Sequence, residues 1–347
     1  MARKPQIKRI NLGLQGGGAH GAFTWGALKR ILMDERIEIA GMSGTSAGAL
    51  NGAAVKSGLL ENDRQGALDK LDWLWGEIGA NDHSTLTDWM IGLTPSMVSK
   101  AMEFSPAFMA VDAISRITSP YAYGPLYSHP LRKIVEQFSF DNVCALDGPD
   151  LKICATNVRT GKIKLFSGHE ISTDAILASG CLPTVFQTIE IEDPKTGVME
   201  AYWDGGYMGN PALFPLYEEH LPEDIVIINI NPLHRDEIPK TAQDIANRIN
   251  EISFNGSLFR ELRSIEFVRR LIREDRMPEG AMKRVLIHMI SDDSLMQQLS
   301  VATKIIPQPY VLNQLREAGE RAAATFLDKH FDDIGVESSV NLTQMFS

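Results

Sequence analysis

Residues 8–21, Lys8-Arg9-Ile10-Asn11-Leu12-Gly13-Leu14-Gln15-Gly16-Gly17-Gly18-Ala19-His20-Gly21, decide the fold. Ile10, Leu12 and Leu14 mark a short buried strand from Lys8 to Gln15, and the glycines after it form a loop. Ala22 to Asp34 then places Phe23, Ala27, Leu28, Ile31 and Leu32 on one helical stripe. A second apolar strand, Ile37 to Met42, runs into Gly44-Thr45-Ser46-Ala47-Gly48 and a small-residue helix reaching about Lys56. Strand, loop, helix, strand, turn, helix is the rhythm of a parallel α/β sheet.

Working outward, Asp63 to Gly79 reads as an amphipathic helix. Strands are expected at Leu151–Asn157 and Lys162–Phe166, joined by Val158-Arg159-Thr160-Gly161. A helix follows near Thr173–Ser179 and is broken at Gly180 and Pro183. Ile225 to Ile230 is a continuous buried-strand pattern. After Pro232 come a long charge-rich helix (Thr241–Glu274), one more strand (Val285–Ile290) and a closing helix (Pro309–His330).

The composition removes several classes of function. Lys and Arg number 34 against 44 Asp and Glu, a net charge of −10, so the chain lacks the basic footprint that nucleic acid requires. The three cysteines, Cys144, Cys154 and Cys181, are odd in number and have no CxxC spacing; they read as buried apolar thiols in a reducing compartment. There is no secretory h-region at the N-terminus and no apolar run long enough to span a bilayer. The expected location is the cytoplasm, with any membrane contact local and apolar.

Three motifs carry the chemistry. Gly16-x-Gly18-x-x-Gly21, between a strand and a helix, fits a dinucleotide fingerprint. That reading also needs an acidic residue at the end of the second strand, where the chain has Met42-Ser43-Gly44. Gly44-x-Ser46-x-Gly48 instead puts a serine on a tight strand-to-helix turn, with Ser46 either exposed as a nucleophile or capping the helix. If Ser46 attacks an acyl carbon, the tetrahedral oxyanion needs donors. The glycine loop offers backbone amides, chiefly Gly17 and Gly18, and the helix after Ser46 offers its first amide, Ala47. Each such donor is worth ~3–4 kcal/mol of transition-state stabilisation. The third motif, Trp203-Asp204-Gly205-Gly206-Tyr207, reads as a carboxylate held on a loop or as a plain Asp-Gly turn. Of the eight histidines, those following Asp204 (His220, His234, His288, His330) carry no local signature of a general base.

Taken in order, Gly16-Gly17-Gly18-x-x-Gly21, Gly44-x-Ser46-x-Gly48 and Asp204-Gly205-Gly206 resemble the three signature blocks of the patatin-like phospholipase family. Ser128-His129-Pro130-Leu131-Arg132 is similar to a segment between its second and third blocks, and the tail around Arg248–Phe254 resembles a bacterial subgroup. The resemblance implies a three-layer α/β fold, with a mainly parallel central sheet, helices on both faces and a mostly helical C-terminal extension. It implies an acyl-hydrolase domain over 8–232 and the extension over 233–347. Ser46 would be the nucleophile and Asp204 the general base of a dyad without histidine. Gly16, Gly17, Gly18 and Ala47 would bind the oxyanion, with His20, Gly21, Gly44, Gly48, Gly205 and Gly206 supporting the motifs. His20 departs from the Arg or Lys usual at its position, so a fixed charge beside the loop is lost unless the imidazole is protonated. No metal or cofactor is called for, since neither an EF-hand loop nor clustered zinc ligands occur in the sequence.

Residues 83–130, rich in Met and aromatics, read as a lid or acyl tunnel over Ser46 or as helices packed on the sheet. Leu258, Leu262, Ile265, Val268 and Ile272, interleaved with arginines, read as a membrane-surface helix, a domain cap or a subunit contact in a homo-oligomer. The expected activity is hydrolysis of carboxylic esters of lipids. Polyester or short-chain esters are the alternative substrates, and a non-catalytic lipid-binding or scaffold protein is the alternative of another class.

Overall fold

The computed structural model describes residues 7–80, 94–106, 108, 118–278 and 280–346. Its centre is a sheet of eight strands among the described residues, in the order β5-β6-β3-β2-β1-β7-β8 with β4 beside β3. The strands are β1 (Lys8–Leu14), β2 (Ile37–Thr45), β3 (Asp150–Asn157), β4 (Ile163–Ser167), β5 (Ile189–Glu192), β6 (Met199–Asp204), β7 (Asp224–Ile228) and β8 (Leu286–Ile290). β1, β2, β3, β7 and β8 are parallel; β4 and β6 run antiparallel to β3, and β5 antiparallel to β6.

β7 shows why the molecule has three layers. All five of its residues are buried, with Val226 and Ile228 in one apolar cluster and Ile225 and Ile227 in the other. Alternate side chains point to opposite faces, so both faces are covered. One face carries α1 (Ala22–Leu32), α2 (Ala47–Trp75), α4 (Thr173–Ser179) and the closing helix α7 (Pro309–His330). The other carries α5 (Ala242–Arg273), through Leu258, Leu262 and Ile265. The apolar stripe of α5 is therefore turned into the core, while Phe267 stays exposed.

α1 and α7 cross with almost no gap. A Cβ on Gly26 would lie 1.8 Å from the Arg316 carbonyl oxygen, and one on Gly319 would lie 2.0 Å from that of Phe23. Two glycines let the backbones touch. The chain beyond Pro232 thus adds β8 to the sheet and α7 to the face that α1 covers.

The helices expected up to Lys56 and from Asp63 form the single element α2, with Asn62 and Asp63 out of helical geometry between its two halves. Much of the 83–130 stretch (residues 83–93, 107 and 109–117) lies outside the described residues. Of the rest, α3 (Pro95–Glu103) is capped by the Thr94 hydroxyl and buries Val98 and Met102. Among the described residues no helix is long and apolar enough to cross a membrane.

Candidate active site

The geometry of β3 brings Ser46 and Asp204 together. β3 pairs with β2 as far as Thr45 opposite Cys154. The next residue of β3, Ala155, pairs with Asp204 of β6. β4 already occupies the other edge of β3 at both positions, so β6 takes over the edge that β2 vacates. The turn that follows Thr45 and the last residue of β6 are thereby neighbours, although they lie 158 positions apart in sequence.

Ser46 sits on the turn with φ 54° and ψ −119°. That conformation costs a non-glycine residue roughly 1–3 kcal/mol and lifts the side chain off the end of the sheet. The turn is closed on itself: a Cβ on Gly44 would meet the Gly48 carbonyl oxygen at 2.5 Å, and one on Gly48 would meet that of Leu14 at 2.1 Å. The Ser46 amide donates to the Ser179 hydroxyl (2.8 Å), which donates to the Cys154 carbonyl (2.6 Å). The Thr45 hydroxyl donates to the Gly209 carbonyl (2.6 Å), fastening the turn to the segment after Asp204.

Asp204 is 1% exposed. Its Oδ1 accepts the Gly206 amide at 2.7 Å, and the Ser46 hydroxyl lies close enough to influence its carboxyl. Burial pushes its pKa up to about 7; the Gly206 amide and the neighbouring Ser46 hydroxyl pull the other way and only partly offset it. Gly205 and Gly206 open the turn after Asp204, and Gly206 packs on the Phe254 ring. Among the described residues no imidazole is hydrogen-bonded to Ser46 or Asp204. His220, His234, His288 and His330 each pair with an aspartate elsewhere.

The glycine loop lies against the same turn. Gly16 packs on Ser46 Cβ, and Gly21 on Ala47. The Gly16 amide, expected among the oxyanion donors, is committed to Asn210 Oδ1 at 2.6 Å. Among the described residues the amides of Gly17, Gly18 and Ala47 donate to no protein group. His20 is buried, with Nε2 2.8 Å from the Thr303 hydroxyl. Burial first, then the neighbouring Lys304, holds its pKa well below the usual value, so the imidazole is neutral.

A set of amide side chains braces the loop from behind, and none of them stands out in the sequence. Gln15 Oε1 accepts from the amides of Ile230 and Asn231 (2.8 and 2.9 Å), and Gln15 Nε2 donates to Asn255 Oδ1 (2.9 Å). Asn231 Nδ2 donates to the Gly16 carbonyl (2.9 Å). The only hint is polar residues standing where apolar runs end, as in Asn229-Ile230-Asn231.

Over residues 12–217 the sequence matches the family described as patatin-like phospholipase. The chain belongs to the patatin-like phospholipase family. Membership places it among lipid ester hydrolases in general. No curated protein matches the sequence. Two solved structures are similar at low identity. VipD from Legionella pneumophila is 14% identical, with a TM-score of 0.44, over 94% of this chain and 67% of that one. A chain of the ExoU–SpcU complex from the type III secretion system of Pseudomonas aeruginosa is 16% identical, with a TM-score of 0.29, over 95% and 61%.

Away from the site, Asp150, Glu218 and His220 bring ligand atoms within 4.8 Å of one another. Glu218 and His220 are exposed, and the group lies at the start of β3, the end of the sheet remote from Ser46. Sequence spacing could not foresee the cluster, because Asp150 is 68 positions from Glu218.

Proposed function

We propose that the protein is a serine acyl hydrolase that cleaves carboxylic esters of lipids through Ser46 and Asp204. The observation that carries this reading is the strained Ser46 set beside the buried carboxyl of Asp204, which no cation holds among the described residues. Ser46 Oγ attacks the ester carbonyl carbon while its proton passes to Asp204. The oxyanion is received by the amides of Gly17, Gly18 and Ala47. The alcohol or lysolipid leaves with the proton, giving an acyl-serine. Water then gives its proton to Asp204 and attacks the acyl carbon, releasing the fatty acid and restoring Ser46.

An ordinary aspartate is a poor base toward a serine hydroxyl. A carboxyl drawn up to about 7 by burial is a far better match near neutral pH. Ser46, Asp204 and the amides of Gly17, Gly18 and Ala47 all lie within residues 8–232. The test is a panel of esters of rising acyl length, phospholipids included, with wild type and Ser46→Ala, alongside labelling by a fluorophosphonate. Label on Ser46 and hydrolysis abolished in Ser46→Ala are expected. Full hydrolysis by a folded Ser46→Ala would refute the assignment.

A further inference from the structure

Two of the amides that receive the oxyanion in this reading, those of Gly17 and Gly18, sit on a loop with no charge of its own. The Thr303 hydroxyl donates to the Ser300 carbonyl (2.8 Å), so toward His20 it must accept, and the His20 proton is on Nε2. The imidazole is neutral and its one N–H is taken up by that bond.

A cation nevertheless reaches the loop from the far end of the chain. Lys304, on the short helix α6 (Val301–Ile305), donates from Nζ to Asn231 Oδ1 at 2.7 Å. Asn231 Nδ2 donates in turn to the Gly16 carbonyl at 2.9 Å. That carbonyl and the Gly17 amide belong to one peptide group. Drawing electron density from the Gly16 oxygen makes the Gly17 N–H a stronger donor, because hydrogen bonds in a chain polarise one another. The backbone of Lys304 also lies directly against Gly18. Among the described residues no carboxylate forms an ion pair with Lys304. The carboxylate that acts on it, Glu251 of α5, is already held by Arg235 (2.5 Å) and Arg248 (3.1 Å).

We infer that Lys304 is a positioning and polarising residue for the oxyanion loop, acting through Asn231 and the Gly16–Gly17 peptide. The inference rests on Ser46 being the nucleophile. An ammonium whose carboxylate neighbour, Glu251, is held by two arginines gains a further counter-charge when the tetrahedral oxyanion forms. That difference between ground and transition state is what accelerates a reaction. The charged and titratable groups acting on Lys304 are His20 on the glycine loop, Arg235 after β7 and Glu251 on α5, the last paired with Arg248. Burial leads in drawing its pKa down to about 8, with Arg235 adding to the fall and Glu251 opposing it. Activity should therefore fall as the pH rises through about 8 and Lys304 loses its proton.

The experiment measures kcat and KM for p-nitrophenyl butyrate, and the rate of fluorophosphonate labelling, from pH 5 to 10. Wild type, Lys304→Met and Lys304→Arg are compared. In Lys304→Met, kcat and the labelling rate at pH 7 are expected to fall on the order of tenfold or more, with KM unchanged and the alkaline limb gone. Lys304→Arg should keep kcat within a few-fold and carry the limb beyond pH 10. A merely structural lysine would alter thermal stability and leave the limb in place. An alkaline limb that persists in Lys304→Met, a loss of less than twofold, or a wild-type profile flat to pH 10 would each overturn the proposal alone. The last of these needs no variant to fold. Absence of labelling in wild type would overturn the reading of Ser46 and this inference with it.

Discussion

The two ends of the parallel strands hold their buried polar groups in opposite circumstances. At the amino ends the buried carboxylates are well partnered. Asp224, the first residue of β7, accepts His288 Nε2 at 2.9 Å and the Gly335 amide at 2.8 Å. Asp34, just before β2, takes two bonds from Arg36 (2.8 and 2.7 Å), and these lead in holding its carboxyl below the ordinary value. At the carboxyl ends, among the described residues, Asp204 has the Gly206 amide and no cation, the amides of Gly17, Gly18 and Ala47 have no protein acceptor, and Ser46 is bent out of its preferred conformation. The amino ends are a foundation. In the proposed function, the carboxyl ends keep interactions unmade until a substrate supplies them, at a cost in stability that the foundation offsets.

The sharpest way to break this contrast is Asp204→Asn. Hydrolysis should fall by ~10³-fold or more, since an amide cannot take the serine proton. Stability should move in the opposite sense. Asp204 titrates higher in the folded protein than in the unfolded chain, about 7 against roughly 3.9. Its contribution is fully present below the unfolded value and is lost as the pH rises through the folded one. The uncharged amide of Asp204→Asn carries no such loss, so at pH 8 the variant should be more stable than wild type by roughly 2–4 kcal/mol, shrinking toward nothing near pH 4. Urea unfolding at the two pH values measures this. A variant less stable than wild type at pH 8 would mean that the carboxylate is well paired after all.

The converse test is at the foundation. Asp224→Ala leaves His288, which is fully buried, and the Gly335 amide without their acceptor. A loss of ~2–4 kcal/mol is expected, with kcat per folded molecule unchanged, read from denaturant unfolding and from turnover at low temperature. A fall in kcat matching the fall in stability would show that the two ends are coupled.

The foundation was more legible in the sequence than the site. β1, β2 and β7 are apolar runs bounded by glycine or proline, and burial on both faces leaves a parallel strand little other composition. The serine turn showed itself because its glycines must be adjacent in sequence to close it. β5 and β6 were not anticipated. Their carboxylates at Glu190, Glu192 and Glu200 belong to an antiparallel margin that is partly exposed, and they mask the apolar positions between. For that reason Asp204 reads from the sequence as a loop residue, whereas it ends β6, and only the register on β3 explains its meeting with Ser46. The loop braces Gln15, Asn210, Asn231 and Asn255 span 240 positions, a separation no local pattern can report.

The smallest predicted effect isolates strain from chemistry. Besides Ser46, Asp63 has positive φ, at 50° with ψ −144°. It lines a groove with Arg9, Ile37, Glu38 and Pro149, at the amino ends of the strands. Both residues hold a conformation that glycine adopts freely, so replacement by glycine should relieve each, by about 1 kcal/mol once the greater freedom of glycine in the unfolded chain is counted. Asp63→Gly is expected to unfold at slightly higher denaturant with unchanged hydrolysis. Ser46→Gly should gain similarly and lose hydrolysis entirely. If Asp63→Gly instead lowers stability, the bend in α2 is held by the aspartate side chain rather than merely tolerated by it. Strain at the serine would then be the more informative of the two, since it alone would be retained for what the side chain does to substrate.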